Sequence, residues 1–587
     1  MQHVKFIVRT LCVLICASQL AFANEKANPL PDVDFDATPV KGSAPLLVEF
    51  NNLTNPDAVA ELDSPEWLWD FGDGLTSNKR NPKHTYNAPG KYTVKCTLSA
   101  EGKTRKLKRD RYIVVKPVVD EGLVAWSTYF GGALEATDTW DTAVDADGNL
   151  VVGGSSAADD LPTTDGAYDE THNGDYDMYI AKFSGEDGSL LWATYIGGEA
   201  YDEVEGLLVL DDGKILVTGN SFGAFSAPGS TSIGTGLSNS YNIVMLSLSS
   251  DGTTIDKSLF FGGESSDLTW ERNRVALDSE GNYVFTGFTY SSQFPVTIGA
   301  YQTVKLGQND AFVVKISADL DEILWATYLG GASTEIGKAA AVDGDDDVYV
   351  TGSTSSLDFP TTEGAYDEMY GGSFDGYVVK LASDGSDLEY STFIGGSARD
   401  RLWDIALTDN AEATVSGFCY STDLILPAGG YCRKVKGGGA VIVCKLNADG
   451  SDLIAGSFFG GKGIEDGLGM AVDGAGNIWL SGTATSTNLP LTSPTFQAKY
   501  QGGESDSFVA ALNSSLTTLL FSTYLGGSGT DLDGHISVDA DGNPLVAGIT
   551  NSTDFPTTVD SPQPDYPGAQ SIFVTKIDAQ GLKHIKN

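Results

Sequence analysis

Trp192-Ala193-Thr194-Tyr195-Ile196-Gly197-Gly198 has near copies in Phe521-Ser522-Thr523-Tyr524-Leu525-Gly526-Gly527 and in Trp126-Ser127-Thr128-Tyr129-Phe130-Gly131-Gly132. A Gly-Gly pair after an apolar residue starts at Gly131, Gly197, Gly262, Gly330, Gly395, Gly460 and Gly526, in steps of 66, 65, 68, 65, 65 and 66 residues. A period this regular marks a repeat architecture and outranks any local motif. Each pair ends a strand-like segment. An Ala-Val-Asp segment follows, at Ala143–Asp145, Ala341–Asp343 and Ala471–Asp473, and a turn leads into strands such as Val348–Gly352 or Ile478–Gly482. The repeat ends on a strand like Ala311–Ile316 or Ile572–Ile577. Four short strands in seven copies predict an all-β fold, a seven-bladed β-propeller whose radial packing protects the strand edges. A lone fourth-type strand, Leu123–Phe130, precedes the first repeat, and the last repeat stops on a third-type strand. The N-terminal strand is therefore expected to complete the last blade.

The repeat resembles the bacterial β-propeller repeat family SBBP over about residues 123–580, including its Asp-Phe-Pro-Thr-Thr-x-Gly-Ala-Tyr element at Asp358–Tyr366. The resemblance implies an extracellular or cell-surface propeller without a common activity, so the fold does not supply the function. Blade two departs from the pattern with a Gly/Ser-rich stretch at Ser221–Ser240, and the blade holding Cys419–Cys444 departs again.

Residues 30–117 carry alternating strands such as Leu46–Phe50 and Tyr92–Leu98. Between them stand Trp69-Asp70-Phe71-Gly72-Asp73-Gly74, Asn81-Pro82-Lys83-His84-Thr85-Tyr86 and Pro89-Gly90-Lys91-Tyr92. This combination resembles the PKD domain family, which implies an immunoglobulin-like β-sandwich serving extracellular proteins as a spacer or accessory module. Asp70 and Asp73 read either as calcium ligands or as side chains bonded to the turn backbone, the commoner use of Asp in a turn.

Residues 1–23 read as a signal peptide: Lys5 and Arg9 precede an apolar stretch ending in Ala21-Phe22-Ala23. Cys16 follows Ile15, too bulky for a lipoprotein site. The expected organisation is the signal peptide, a linker at 24–29, the PKD-like sandwich at 30–117, the propeller at 118–580 and a tail at 581–587. No stretch has the apolar length of a transmembrane anchor. The formal charge of −43 opposes nucleic acid as a partner; the basic run that stands out is Lys103–Arg111. Beyond the leader there are four cysteines, Cys96, Cys419, Cys432 and Cys444. Cys419 either pairs with Cys432 or Cys444 or stays a buried thiol.

Candidate chemistry falls into three groups. Asp145-Ala146-Asp147-Gly148-Asn149 and Asp539-Ala540-Asp541-Gly542-Asn543 resemble the opening of a calcium loop, making Ca²⁺ the one cofactor to consider, yet Asp-Gly and Gly-Asn equally suit a hairpin turn. The fourth residue after most Gly-Gly pairs is acidic, at Asp202, Asp267, Glu335, Asp400, Glu465 and Asp531, with Glu135 or Asp138 nearby in the first repeat. These acids would ring one channel mouth or accept backbone N–H groups in their own blades, the role that use in every blade favours. Sites of specificity belong where blades differ: Trp140 with Asp141, Trp270 with Glu271, Arg272 and Arg274, and Arg399 with Arg401, Trp403 and Asp404. Trp beside charged groups suits sugar rings and hydroxyls, and filling the interface between blades is the competing explanation. The few histidines lack metal-ligand spacing, and Gly219-Asn220-Ser221-Phe222-Gly223 matches a nucleophile elbow without its strand-turn-helix setting. Binding of an extracellular glycan or a surface protein is thus expected ahead of catalysis. The alternatives are a polysaccharide lyase or hydrolase using the channel around His172 or His535, and a structural component of an envelope or matrix.

Overall fold

The computed structural model describes residues 30–43, 46–87, 90–116, 123–223, 225, 227–235, 240–269, 273–558 and 561–579. The expected signal peptide, the 24–29 linker and the 581–587 tail lie outside the described residues. The chain divides into two compact units, Met1–Val115 and Lys116–Asn587, and among the described residues nearly all regular structure is β-strand.

In the first unit, strands Phe35–Thr38, Leu46–Asn52 and Lys83–Tyr86 form one sheet; Lys41–Ser43, Lys103–Lys116, Gly90–Ala100, Glu66–Asp70 and Thr76–Ser77 form another. Alternation along Leu46–Phe50 buries Leu46, Val48 and Phe50 and exposes the residues between. These join Trp69, Phe71, Tyr86, Val94, Cys96 and Ile113 in one core shared by both sheets. The core's polar tips are satisfied: Trp69 Nε1 donates to the Lys79 carbonyl at 2.9 Å and Tyr86 Oη to that of Phe71 at 3.1 Å.

The second unit contains seven consecutive sheets. Six are built in chain order from an inner strand outward, beginning at Thr137, Asp202, Asp267, Glu335, Asp400 and Glu465, apart from one added edge strand in the second. The seventh runs Asp531–Val538, Pro544–Thr550, Ser571–Ile577 and then Val124–Phe130, so the strand from the start of the unit supplies its outer edge, pairing Phe130 with Ile572. Inner strands of successive sheets touch, and the seventh reaches the first: Ser537 Oγ donates to the Thr142 carbonyl at 2.8 Å. One hydrophobic core lies in each interface. Between seventh and first sheets, for example, Trp126, Phe130, Leu150, Val152, Tyr179, Leu545 and Val574 pack together. Sheets covered on both faces need strands without a polar side, and Leu150–Ser156 and Asp177–Phe183 are buried at every position.

Polar pins stitch these interfaces. Trp192 and Trp325 on outer strands donate their indole N–H to Ser250 and Ser383 carbonyls in the next sheet, both at 3.0 Å. Within each sheet, by contrast, the outer-strand tyrosines Tyr129, Tyr195, Tyr328 and Tyr524 hold the segment after the second strand, each donating to one backbone carbonyl and accepting one backbone N–H; Tyr524 joins Ser486 O at 2.7 Å and Leu489 N at 2.9 Å.

Two departures foreseen from the sequence take definite form. Within Ser221–Ser240, Ser230–Gly234 makes an added strand, parallel to Ile255–Gly262. In the fifth sheet the cysteines do not pair: all four described cysteines are free. Cys444 faces Val415 and Cys419 faces Ala440 across neighbouring strands, a four-residue offset of about 14 Å along the strand. Burial pushes both thiols up.

Candidate functional site

Each recurrent acid stands at the first residue of an inner strand, at the Gly-Gly end of its sheet. Its side chain turns back into the fold instead of opening on a channel mouth: Asp202, Asp267, Glu335, Asp400, Glu465 and Asp531 are all at most 2 % exposed. Each accepts the N–H of the second glycine of the preceding pair, at 2.6–3.0 Å. Hydroxyls from the second strand complete the set, as Thr289 and Ser291 do for Asp267 and Thr550 and Ser552 for Asp531. In the first sheet Thr137 takes this place, bonded to Ser156 Oγ at 3.0 Å, while Glu135 is exposed and Asp138 is bonded by Gln570. Four sheets add a second buried acid at the start of the third strand, Asp177, Asp310, Asp375 or Asp506, which the sequence reading missed. Burial raises Asp202, Asp267, Asp375 and Asp531 to about 6 and Asp506 to about 8, the paired buried carboxylate adding to the rise at Asp202, Asp375 and Asp506, and Glu264 and Asp554 adding to it at Asp267 and Asp531.

The Asp-x-Asp-Gly-Asn segments are hairpin clamps. Asp145 Oδ1 accepts the N–H of Asp147 and Asn149, and its Oδ2 accepts Asn149 Nδ2 at 2.9 Å and faces Lys182 Nζ at 2.8 Å. Asp539 repeats this with Asp541, Asn543 and Lys576. Asp147 and Asp541 supply backbone N–H groups to the clamp, with no side-chain oxygen aimed at a shared centre. Burial pushes Asp145 and Asp539 up, but the lysine and asparagine contacts outweigh it and lower both. In the first unit Asp70 accepts Gly72 N–H and pairs with Lys95 at 3.0 Å; Asp73 accepts Leu75 N–H and meets His84 Nε2 at 2.7 Å. These are the turn-bonding uses of the six acids offered for calcium, and no group of three or more His, Cys, Asp or Glu among the described residues is arranged to hold a metal ion.

The blade-specific candidates separate into two places. Arg274 reaches across the axis of the ring: its Nε lies 3.0 Å from Asp404 Oδ1 and its Nη2 donates to the Met470 carbonyl at 3.0 Å. Asp404 and Asp141 are buried and bind the next sheet alike, accepting the N–H of Met470 and of Leu207. A cavity of about 260 Å³ toward the hairpin end is lined by Asp141, Thr142, Leu207, Arg274 and Ser537. Trp403 is not offered to a ligand: it is buried under the Lys338 ammonium, 3.9 Å from its ring centre. Trp140 is half-buried with its N–H on Ser155 Oγ. Trp270, Glu271 and Arg272 lie outside the described residues. Arg399 and Arg401 stand at the other, Gly-Gly end, where Arg399 is exposed over Phe418 and Arg401 covers Phe374.

A second cavity of about 340 Å³, between third and fourth sheets, is lined by Asp278, Lys315, Trp325, Asp345 and Asp346 among others. Neither cavity includes a histidine. His172 Nε2 sits 3.1 Å from the Ser156 carbonyl, and His535 is buried on its inner strand. Ser221 of the elbow-like motif is buried in a strand and donates to Gly223 O.

The sequence reading also missed a second basic run, Arg433-Lys434-Val435-Lys436 on the fifth sheet. Its signal was a reversal of charge against the repeat: Asp358–Asp375 of the fourth sheet carries five acids and no base, whereas Asp423–Ala440 carries one acid and three bases.

Residues 27–115 match the PKD domain family. Residues 324–360 match the family described as beta-propeller repeat, so a PKD domain precedes the repeat region in this chain. A collagenase of Bacillus cereus is 27% identical over 113 residues, covering 16% of this chain and 12% of the collagenase. The chain thus meets about an eighth of that protein. Among solved structures, a Dyadobacter fermentans protein of unknown function aligns with 77% of this chain and 98% of its own, at 11% identity and TM-score 0.34. An ulvan lyase aligns with 73% and 92%, at 11% identity and TM-score 0.36. Among the described residues no helix is long and apolar enough to cross a membrane.

Proposed function

We propose that this is an exported binding protein: a cleaved leader at 1–23, an immunoglobulin-like PKD sandwich at 30–117, and a seven-bladed propeller at 118–580 whose Gly-Gly end meets an extracellular glycan. The observation that carries this reading is a division of labour among charges. Acids that recur from sheet to sheet are spent inside the fold, on glycine N–H groups and hairpin clamps. Side chains that differ between sheets and reach solvent gather on the loops of one end, where Arg399 and Arg401 lie over Phe418 and Phe374. Loops on a rigid scaffold are where specificity is built, and guanidinium groups held flat on rings suit hydroxyl-rich ligands. The engagement of His84, His172 and His535 within the fold favours binding over cleavage.

The test is a glycan array and polysaccharide pull-down with protein starting at Asn24, in calcium and in chelator, followed by sizing of the bound polymer. Selective retention of intact polymer is expected in both buffers. Shortening of the polymer, abolished by substituting sheet-specific carboxylates, would replace binding with lyase or hydrolase activity. Retention of a surface protein and of no glycan would change the partner.

A further inference from the structure

We infer that the Gly-Gly end of the fifth sheet is a track for an acidic polysaccharide, one presenting uronate or sulfate groups along an extended chain. The inference rests on the glycan-binding reading above and names the class of glycan. Beyond residue 117 the chain has 20 Lys and Arg, and seven of them fall in the 64 residues from Arg399 to Lys462: the buried Lys445 and, on the loops, Arg399, Arg401, Arg433, Lys434, Lys436 and Lys462. The fold brings them to one edge. Tyr420 N–H donates to the Arg399 carbonyl at 3.1 Å, and the Tyr420 ring lies against Gly439, where a Cβ would come within 2.8 Å of it. Gly438 N–H donates to the Gly463 carbonyl at 2.7 Å, and Gly437 packs on the backbone of Lys462, which sets Lys436 and Lys462 side by side. From there the segment runs back to Cys432, tied to Ser457 on the outer strand at 3.1 Å. The cations therefore follow the sheet edge from outer strand to inner loop, beside the rings of Phe374, Phe418 and Tyr420.

Their state differs from that of the lysines on the hairpin clamps. Lys182, Lys315, Lys380 and Lys576 are largely buried and paired with clamp aspartates. Arg399, Lys434, Lys436 and Lys462 are exposed, and no carboxylate among the described residues pairs with them. The acids in these loops are Asp423, which holds Ser397 N–H at 3.1 Å, the buried Asp400 and Glu465, and the half-buried Asp466. Positive groups left without partners in a chain of charge −43 favour an anion arriving from outside. The width of the track selects the kind of anion. A bilayer, a duplex or a folded acidic protein would also cover the acid-rich loops of the fourth sheet, within about 8–10 Å screening range. A single extended polysaccharide fits the edge alone, and the aromatic rings offer faces to its sugars.

The experiment is affinity electrophoresis of the protein from Asn24 onward in gels holding polygalacturonate, dextran sulfate, neutral dextran or mannan, at 50 and 300 mM NaCl. The variants are Lys434→Gln/Lys436→Gln/Lys462→Gln and, as a control on the second sheet, Lys214→Gln/Lys257→Gln, with circular dichroism to verify folding. Retardation by the acidic polymers, weakened by salt and at least tenfold by the triple variant but not by the control, is expected. Undiminished retardation of the folded triple variant would overturn the track. Equal retardation by neutral polymers would overturn the acidic preference and leave glycan binding standing, whereas no retardation by any polymer would overturn both. Capture by phosphatidylserine vesicles, with no retardation by any polymer, would also overturn both and assign the edge to a membrane.

Discussion

Asp506 and Asp531 occupy space that Gly526 leaves by having no side chain: a Cβ there would lie 2.8 Å from Asp506 Cγ and 2.9 Å from Asp531 Oδ2. The glycine at this point of the repeat is thus required by two buried acids more than by its own backbone. Gly526→Ala should destabilise by about 1–3 kcal/mol through overpacking, while Gly474→Ala, with open space around it, should be near neutral; urea denaturation of both variants checks this. Burial, then the neighbouring charge, raises Asp506 to about 8 and burial raises Asp531 to about 6, against an unfolded value near 4. Folding therefore favours the protonated acids. Their penalty is absent below about pH 4, grows as pH rises, and levels off above about 6 for Asp531 and above about 8 for Asp506. Asp145 and Asp539 act oppositely, since their lowered values add stability that is lost as pH falls below the ordinary carboxylate range. Melting temperature should therefore peak in mild acid, and Asp506→Asn should remove much of the decline between pH 6 and 8. Thermal scans across pH test this, and an unaltered slope in the variant would reject it.

Within a sheet, the element most exposed to a single atom's loss is the segment held by the outer-strand tyrosine. Removing the hydroxyl in Tyr524→Phe strands the Ser486 carbonyl and Leu489 N–H in a dry interface, a cost of about 1–3 kcal/mol. Denaturant midpoints would register it, and hydrogen exchange at Leu489 should rise locally. Much of this level was legible beforehand. Strand ends fall at the Gly-Gly pairs because those glycines make room for the acid clamp, and Asp-Gly-Asn marks hairpins because its first Asp gathers N–H donors. What sequence did not disclose was which side chains meet across sheets. Trp403 read either as a sugar platform or as filling between blades, and it lies beneath Lys338, a contact between positions 65 residues apart. The second acid of each pair was invisible because Asp506 and Asp531 stand on different strands. The Arg433–Lys436 run was visible as letters, but its meaning depends on the loops of Arg399 and Lys462 arriving beside it.

Across the whole ring, Arg274 ties the third sheet to the fifth and sixth through Asp404 and Met470. Arg274→Met removes this ion pair from the buried Asp404 and should cost up to about 3–5 kcal/mol; adding Asp404→Asn should recover part of it, measurable as a coupling energy in a double-mutant cycle. Deleting residues 123–132 removes the outer strand of the seventh sheet and should open the ring, seen as early proteolysis within residues 531–579. That same pairing imposes a timetable. Phe130 waits for Ile572, 442 residues later, so the first strand of this unit to leave the ribosome is the last to find its place. Until then both ends of the nascent array show raw edges and half-covered cores, and the search that joins them spans nearly the entire unit. Completion is consequently an end-of-synthesis event, and a chain truncated even shortly before residue 571 forfeits closure rather than merely its final strand.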